Sequence, residues 1–135
     1  MSQSSDIAGK IMRNHRRLKQ SIKESRIIAK STIDSLYTSW RNSSRGKEWK
    51  ANFLEQCGFH CPECNQFLTD QNCTIDHKLP RSKYPWLSWN EANLWLLCRS
   101  CNIKKSDQDW AIYIEAVKIS RGQAAYERVT KYKPL

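Results

Sequence analysis

Four of the six cysteines fall in two C-x-x-C pairs, Cys61-Pro62-Glu63-Cys64 and Cys98-Arg99-Ser100-Cys101. Each pair is a knuckle that can offer two thiolates to one ion. Four soft sulfur ligands suit a closed, tetrahedral zinc site with a structural role. In a secreted chain the six cysteines would read as three disulfides, but the opening MSQSSDIAGKIMRNHRR has no continuous apolar stretch of the secretory kind. Four buried or redox-active cysteines are the plainer alternative. Cys57 and Cys73 belong to no pair and read as small buried apolar residues, with Cys57 the one competing ligand. A second set of reactive groups lies between and just after the knuckles: Asp76 beside His77, then Asn93, then Asn102 directly after the last cysteine. These groups are a suitable set for hydrolysing a phosphodiester. A hard divalent cation takes oxygen ligands, which Asp76 and the Asn102 amide can provide, and it stabilises the leaving oxygen. A neutral imidazole near its reference pKa of about 6.5 can accept a proton from the attacking water, which predicts poor activity in acid. Taken singly, each residue has an ordinary reading as a core histidine, a capping asparagine or a paired aspartate.

Local pattern indicates the elements that must hold these groups. Ile7, Ile11, Leu18, Ile22, Ala29, Ile33, Leu36 and Trp40 recur with a helical period, which predicts one long helix over about 6–38. The stretch 42–46, Asn-Ser-Ser-Arg-Gly, reads as a hinge, and a short helix follows over about 47–56. Short strands are expected at 73–75 and 94–97, with Asn93 opening the second. Helix returns after 106, capped by Ser106 or Asp107, and Gly122 separates it from a last helix over 123–130. A module of some 50 residues is too small to hold itself together on apolar burial alone, and a metal can supply the deficit.

Order and spacing together are more specific than any one residue. Cys61-x2-Cys64, Asp76-His77-x2-Pro80 and Asn93-Leu94-x2-Leu97-Cys98-x2-Cys101-Asn102-x2-Lys105 resemble the HNH nucleases in their zinc-containing ββα-metal form. The resemblance covers about 57–106. It implies an α+β fold in which four cysteines (Cys61, Cys64, Cys98, Cys101) hold structural zinc beside a site for catalytic Mg²⁺ or Mn²⁺. It further implies that His77 activates water, that Asp76 and Asn102 bind the catalytic ion, and that Asn93 holds the His-bearing loop by hydrogen bonding. Many members carry His at the last position; Asn102 here matches the His-Asn-Asn variants. The Gly-rich turn common after the Pro is replaced by Arg81-Ser82-Lys83-Tyr84-Pro85-Trp86. His15 and His60 match no motif position and read as surface residues. The division that follows is 1–56 as a basic helical extension, 57–106 as the nuclease module and 107–135 as a helical C-terminal segment.

Charge points to the substrate. The 135 residues carry a formal charge of +10. The first 56 residues hold 12 basic and five acidic side chains. Such a balance fits a polyanion, and the absence of a long apolar run argues against a membrane span. Lys10, Arg13, Arg16, Arg17, Lys19, Lys23, Arg26 and Lys30 oppose the apolar stripe of the first helix, making Arg13, Arg16, Arg17 and Lys23 candidate contacts to duplex DNA phosphates. Arg81, Lys83, Lys104 and Lys105 are the candidates near the module. The stripe itself needs cover, either from the chain's own C-terminal helices, slightly favoured, or from a second copy in a homodimer. The leading reading is a metal-dependent endonuclease on double-stranded DNA, of the phage or homing type that the resemblance suggests. Its place would be the cytoplasm, that of a bacterial host if phage-encoded. The alternatives are a non-catalytic zinc-stabilised DNA-binding module and a dimeric resolvase of branched DNA.

Overall fold

The computed structural model describes residues 2–134, with side chains from Asp6 onward. Five helices and one two-stranded sheet follow in the order α1 (Ser2–Asn42), α2 (Ser44–Gln56), β1 (Cys73–His77), β2 (Leu94–Cys98), α3 (Arg99–Lys105), α4 (Trp110–Arg121) and α5 (Gln123–Thr130). Short 3-10 turns at Pro85–Leu87 and Glu91–Asn93 lie between the strands. The fold is α+β, with a strand–loop–strand–helix core of the ββα kind. Its contacts form two compact units, one ending at Ser35 and the other beginning at Leu36.

In the first unit, α1 runs without interruption, as the absence of Pro allows. Ile7, Ile11, Leu18 and Ile22 are exposed in the single chain. Arg13, Arg16, Arg17 and Lys23 are exposed as well, as is His15.

The second unit contains the core. The expected hinge at 42–46 contracts to a single residue. Ser43 is extended, and its hydroxyl accepts from the Gly46 amide at 3.1 Å, capping α2. Gly46 is therefore no helix breaker. A Cβ there would strike the Trp40 carbonyl and come within 3.0 Å of that of Arg41, so glycine allows two backbones to approach.

The strands are antiparallel, pairing Cys73 with Cys98, Asp76 with Trp95 and His77 with Leu94. All five residues of β2 are buried, which suits its unbroken run Leu-Trp-Leu-Leu-Cys. Trp95, fully buried, meets Trp110 edge-on at 5.1 Å and Tyr113 at 5.9 Å, and it tilts against Tyr132 at 5.9 Å. Such ring pairs add about 0.5–1.5 kcal/mol each beyond area burial, and here they fasten α4 and the C-terminal turn to the sheet.

Helix boundaries after the sheet differ from the periodic reading. A separate helix, α3, begins directly at Arg99, and Ser106 ends it with φ +50° instead of starting the next. The cap of α4 is Asp109. Asn93 lies in the 3-10 turn, and β2 begins one residue later. No helix among the described residues is long and apolar enough to cross a membrane.

Candidate metal centre and nuclease site

The first knuckle is built by backbone geometry. Cys61 N–H donates to the Gln66 carbonyl at 2.8 Å, Asn65 N–H donates back to the Cys61 carbonyl at 2.9 Å, and Asn65 itself has φ +64°. Asparagine tolerates that left-handed conformation better than most residues. The second knuckle spans the end of β2 and the first turn of α3, so the strand-to-helix junction delivers Cys98 and Cys101 together. The Sγ atoms of Cys61, Cys64, Cys98 and Cys101 all lie within 4.8 Å of one another. Cys64 and Cys98 are 3.6 Å apart, close to the edge of about 3.8 Å expected for a tetrahedron of Zn–S bonds near 2.3 Å. The donor set fits a structural zinc. A hydrogen bond from Cys101 lowers the Cys61 thiol pKa against the effect of burial, and the Cys98 amide donates to the same sulfur at 3.5 Å. Cys57 stays outside the cluster, its thiol directed to the Leu54 carbonyl at 3.4 Å; Cys73 likewise faces the Asp70 carbonyl. Both are half-buried.

Glu63, inside the first knuckle, is a residue the motif reading passed over. It is 4% exposed. Tyr113 donates its hydroxyl to Oε1 at 2.7 Å, and Arg121 donates to Oε2 at 2.6 Å. Arg128 bonds the Glu63 and Pro62 carbonyls at 3.0 and 3.3 Å. The knuckle is thereby tied to α4 and α5. A buried carboxylate needs this full complement of donors. Burial, with Glu63 alongside, pushes the Tyr113 phenol well above its usual range.

The second group of reactive residues lies where β1 meets α3. Side chains alternate along a strand, so Thr74 and Asp76 share one face. Asn102 and Lys105, one helical turn apart on α3, meet that face. Asn102 Nδ2 donates to Thr74 Oγ1 at 3.1 Å, and the Lys105 ammonium lies 3.1 Å from Asp76 Oδ2. Trp95 donates its indole N–H to the same oxygen at 2.7 Å. Burial raises the Asp76 pKa, opposed by Lys105 and Trp95. Oδ1 of Asp76 and Oδ1 of Asn102 take part in none of these bonds, and oxygen donors of this kind fit a hard divalent cation.

His77, 9% exposed, is held differently. Its Nε2 lies 2.7 Å from the Ser88 carbonyl. A carbonyl can only accept, so Nε2 carries the proton and Nδ1 the lone pair. Burial, together with the positive charges of Arg81 and Lys105, brings its pKa down to about 4 despite the Ser88 bond. The expectation of a base titrating near 6.5 is thus corrected: the imidazole is neutral across the physiological range. The Tyr37 ring packs edge-on against it at 4.9 Å, and Arg81 lies 4.6 Å above Tyr37.

Asn93, 1% exposed, clamps the loop that follows β1. Its Oδ1 accepts from the Leu79 amide at 2.8 Å, and its Nδ2 donates to the Leu79 and Leu87 carbonyls at 3.1 and 3.3 Å.

The expectation that Lys105 contacts phosphate is overturned. It is 1% exposed, and besides Asp76 it bonds the His77 carbonyl at 2.8 Å. Asn102 and Lys105 fall on one side of α3, so the helical period that turns Asn102 toward β1 buries Lys105 as well. Lys104 is exposed, and Lys83 pairs with Asp109 at 3.4 Å. His60 is exposed, with Nδ1 2.6 Å from the Gly58 carbonyl.

A two-stranded antiparallel hairpin running straight into a helix, with an Asp-His pair on the first strand and a four-cysteine cluster beside it, defines a ββα-metal type of domain. Residues 61–108 match the family model of the HNH endonucleases, and the chain carries an HNH domain there. No curated protein matches the chain. Among solved structures it is similar to the Type II-C Cas9 enzyme from Actinomyces naeslundii, at 21% identity and a TM-score of 0.49. That likeness covers 89% of this chain and only 15% of the Cas9.

Proposed function

We propose that the chain is a metal-dependent endonuclease that hydrolyses phosphodiester bonds of double-stranded DNA, of the free-standing phage or homing type. The observation that carries the reading is His77: a buried, neutral imidazole whose Nε2–H donates to the Ser88 carbonyl, leaving Nδ1 as a base one residue from Asp76. In this reading His77 Nδ1 takes the proton of the attacking water. Asp76 and Asn102 hold the catalytic Mg²⁺ or Mn²⁺ through their remaining oxygens. When bound, that ion stabilises charge on the phosphate and on the leaving oxygen. Asn93 keeps the 78–80 loop in register with the base. Cys61, Cys64, Cys98 and Cys101 hold zinc, which keeps β2 and α3 at a fixed distance from the first knuckle.

Positive charge supports DNA as the substrate. Arg13, Arg16, Arg17 and Lys23 in the basic extension (1–56), with Arg81, Lys83 and Lys104 near the module (57–106), are the proposed phosphate contacts. The segment 107–135 braces the knuckle. One site per chain nicks one strand, and a second copy paired along the exposed stripe of α1 would cut both. The cytoplasm is the proposed location.

Incubating supercoiled plasmid with the purified protein tests the reading. Nicked circles should accumulate with Mg²⁺ and not with chelator. A second reading has one observation in its favour: the Lys105 ammonium sits on the Asp76 carboxylate that the catalytic ion would use. That reading, a non-catalytic zinc-stabilised DNA-binding module, predicts retention of plasmid with no nicking in either condition.

A further inference from the structure

A cleft of about 670 Å³ opens beside the reactive groups, between the C-terminal end of α1, the start of α2 and the outer side of β1. All of it lies within the second unit. Two of its walls are shared with the proposed active site. Thr74 lines the cleft and accepts from Asn102 at 3.1 Å; Tyr37 lines it and packs on the His77 ring at 4.9 Å. The volume falls in the range of about 300–1,000 Å³ typical of sites for nucleotide-sized ligands.

The lining is cationic: Arg41, Lys47 and Lys50 against the single carboxylate of Asp70. Asp70 is already engaged by Lys50, at 3.1 Å through its side chain and 3.1 Å through its carbonyl. Arg41 and Lys47 form no ion pair among the described residues. The Arg41 guanidinium lies 5.7 Å from the centre of the Tyr37 ring, a cation–π contact that places its charge without neutralising it. Two cations over polar walls, neither in an ion pair among the described residues, suit the repeating monoanionic phosphates of a strand.

We propose that this cleft is a backbone subsite, in which Arg41 and Lys47 hold the DNA strand immediately to one side of the phosphate that is cut. The proposal rests on the nuclease reading for its position and adds residues that no sequence motif marked. Neither residue touches the reacting atoms, so they act on binding and not on the chemical step.

The test uses the full chain in a His77→Ala background, binding a fluorescent duplex across a salt series. Arg41→Gln with Lys47→Gln should raise Kd at least tenfold near 0.1 M salt. It should flatten the slope of log K against log salt by about 1.8, since each neutralised phosphate contributes about 0.9. Lys131→Gln with Lys133→Gln removes the same charge from exposed positions outside the cleft and should change both far less. If the double variant misfolds by circular dichroism, Lys47→Gln alone, at an exposed residue, should still flatten the slope by about 0.9. With His77 left intact, the double variant should raise KM and leave kcat unchanged. Equal effects of the two pairs, or an unchanged slope, overturn the subsite whether or not the wild-type chain cuts DNA. Tight binding by a wild-type chain that never cuts overturns the nuclease reading and, with it, the placement beside a cut phosphate.

Discussion

The knuckle cluster and the β1–α3 seam lie on the same two-stranded sheet, yet they use their polar atoms in opposite ways. At the knuckles every strong group is committed: four sulfurs face one another, Glu63 has donors on both oxygens, and Arg121 and Arg128 lock it to the C-terminal helices. At the seam the groups are held through one atom and left open at another. His77 is fixed by Nε2, which leaves Nδ1 its lone pair; Asn102 is fixed by Nδ2 and not by Oδ1; Asp76 takes both Trp95 and Lys105 on Oδ2. Closure serves stability and partial closure serves chemistry, because a reacting atom needs a lone pair that folding has not consumed.

The largest expected effect is on the closed region. Cys61→Ser removes one of four proposed zinc ligands, in a site type whose apparent binding energy is about 10–16 kcal/mol. The variant should purify without stoichiometric zinc and lose its cooperative melt, as read by elemental analysis and circular dichroism. A variant with full zinc and unchanged melting would erase the contrast between the two regions.

At the seam, Lys105→Met strands the Asp76 carboxylate in a buried position with no cation beside it. Removing one partner of a buried pair costs about 3–5 kcal/mol, measurable by urea denaturation near neutral pH. Zinc content should stay at the wild-type level, since the Lys105 ammonium is engaged by Asp76 and the His77 carbonyl and not by a cysteine sulfur. A loss under 1 kcal/mol would mean that Lys105 is not the counter-charge described here.

The His77 imidazole gives a smaller, pH-dependent effect. Its folded pKa of about 4 lies below the unfolded value of 6.5, so the unfolded chain binds the extra proton first as pH falls. Stability from this group is therefore full above 6.5 and is lost progressively between 6.5 and about 4. The difference in unfolding free energy between wild type and His77→Ala should shrink by about 3 kcal/mol across that window, at about 1.4 kcal/mol per pKa unit. Referring it to the variant removes the opposite contribution of Asp76, whose raised pKa lowers stability as pH rises above 3.8. A constant difference would place His77 in a wetter environment.

The smallest effect on stability is expected in the first unit. Changing Arg13, Arg16, Arg17 and Lys23 to Gln should leave zinc content and melting of the second unit unaltered. It should flatten the salt dependence of DNA binding by up to about 3–4 units. Unchanged affinity would make this charge a solvated helix face.

The sequence made legible what depends on local spacing. Two C-x-x-C pairs mark the four-cysteine cluster, and the Asp76-His77 dipeptide with Asn93 and Asn102 marks the residues of the seam and its loop. Contacts made through the fold were not legible. The carbonyl of Ser88, which sets the His77 tautomer, leaves no trace in residue type. Lys105 looked like a surface cation because nothing in its neighbourhood shows that α3 turns it beneath His77 toward Asp76. Gly46 read as a breaker because glycine marks loops more often than close helix approaches. Glu63 was hidden inside a knuckle whose cysteines drew the attention, although a glutamate followed far downstream by Tyr113, Arg121 and Arg128 on one helical hairpin is a signal only the tertiary structure can assemble.

Plasmid cleavage by His77→Ala in Mg²⁺ decides whether His77 acts as a positioned general base. Loss of such a base costs about 10²–10⁴ in rate. The variant should nick plasmid that much more slowly at pH 7 while binding it with near wild-type affinity. The wild-type rate should be flat from pH 8 down to about 5 and should fall only as pH approaches 4, where the imidazole takes up its proton. A His77→Ala chain that nicks plasmid at the wild-type rate would contradict the account.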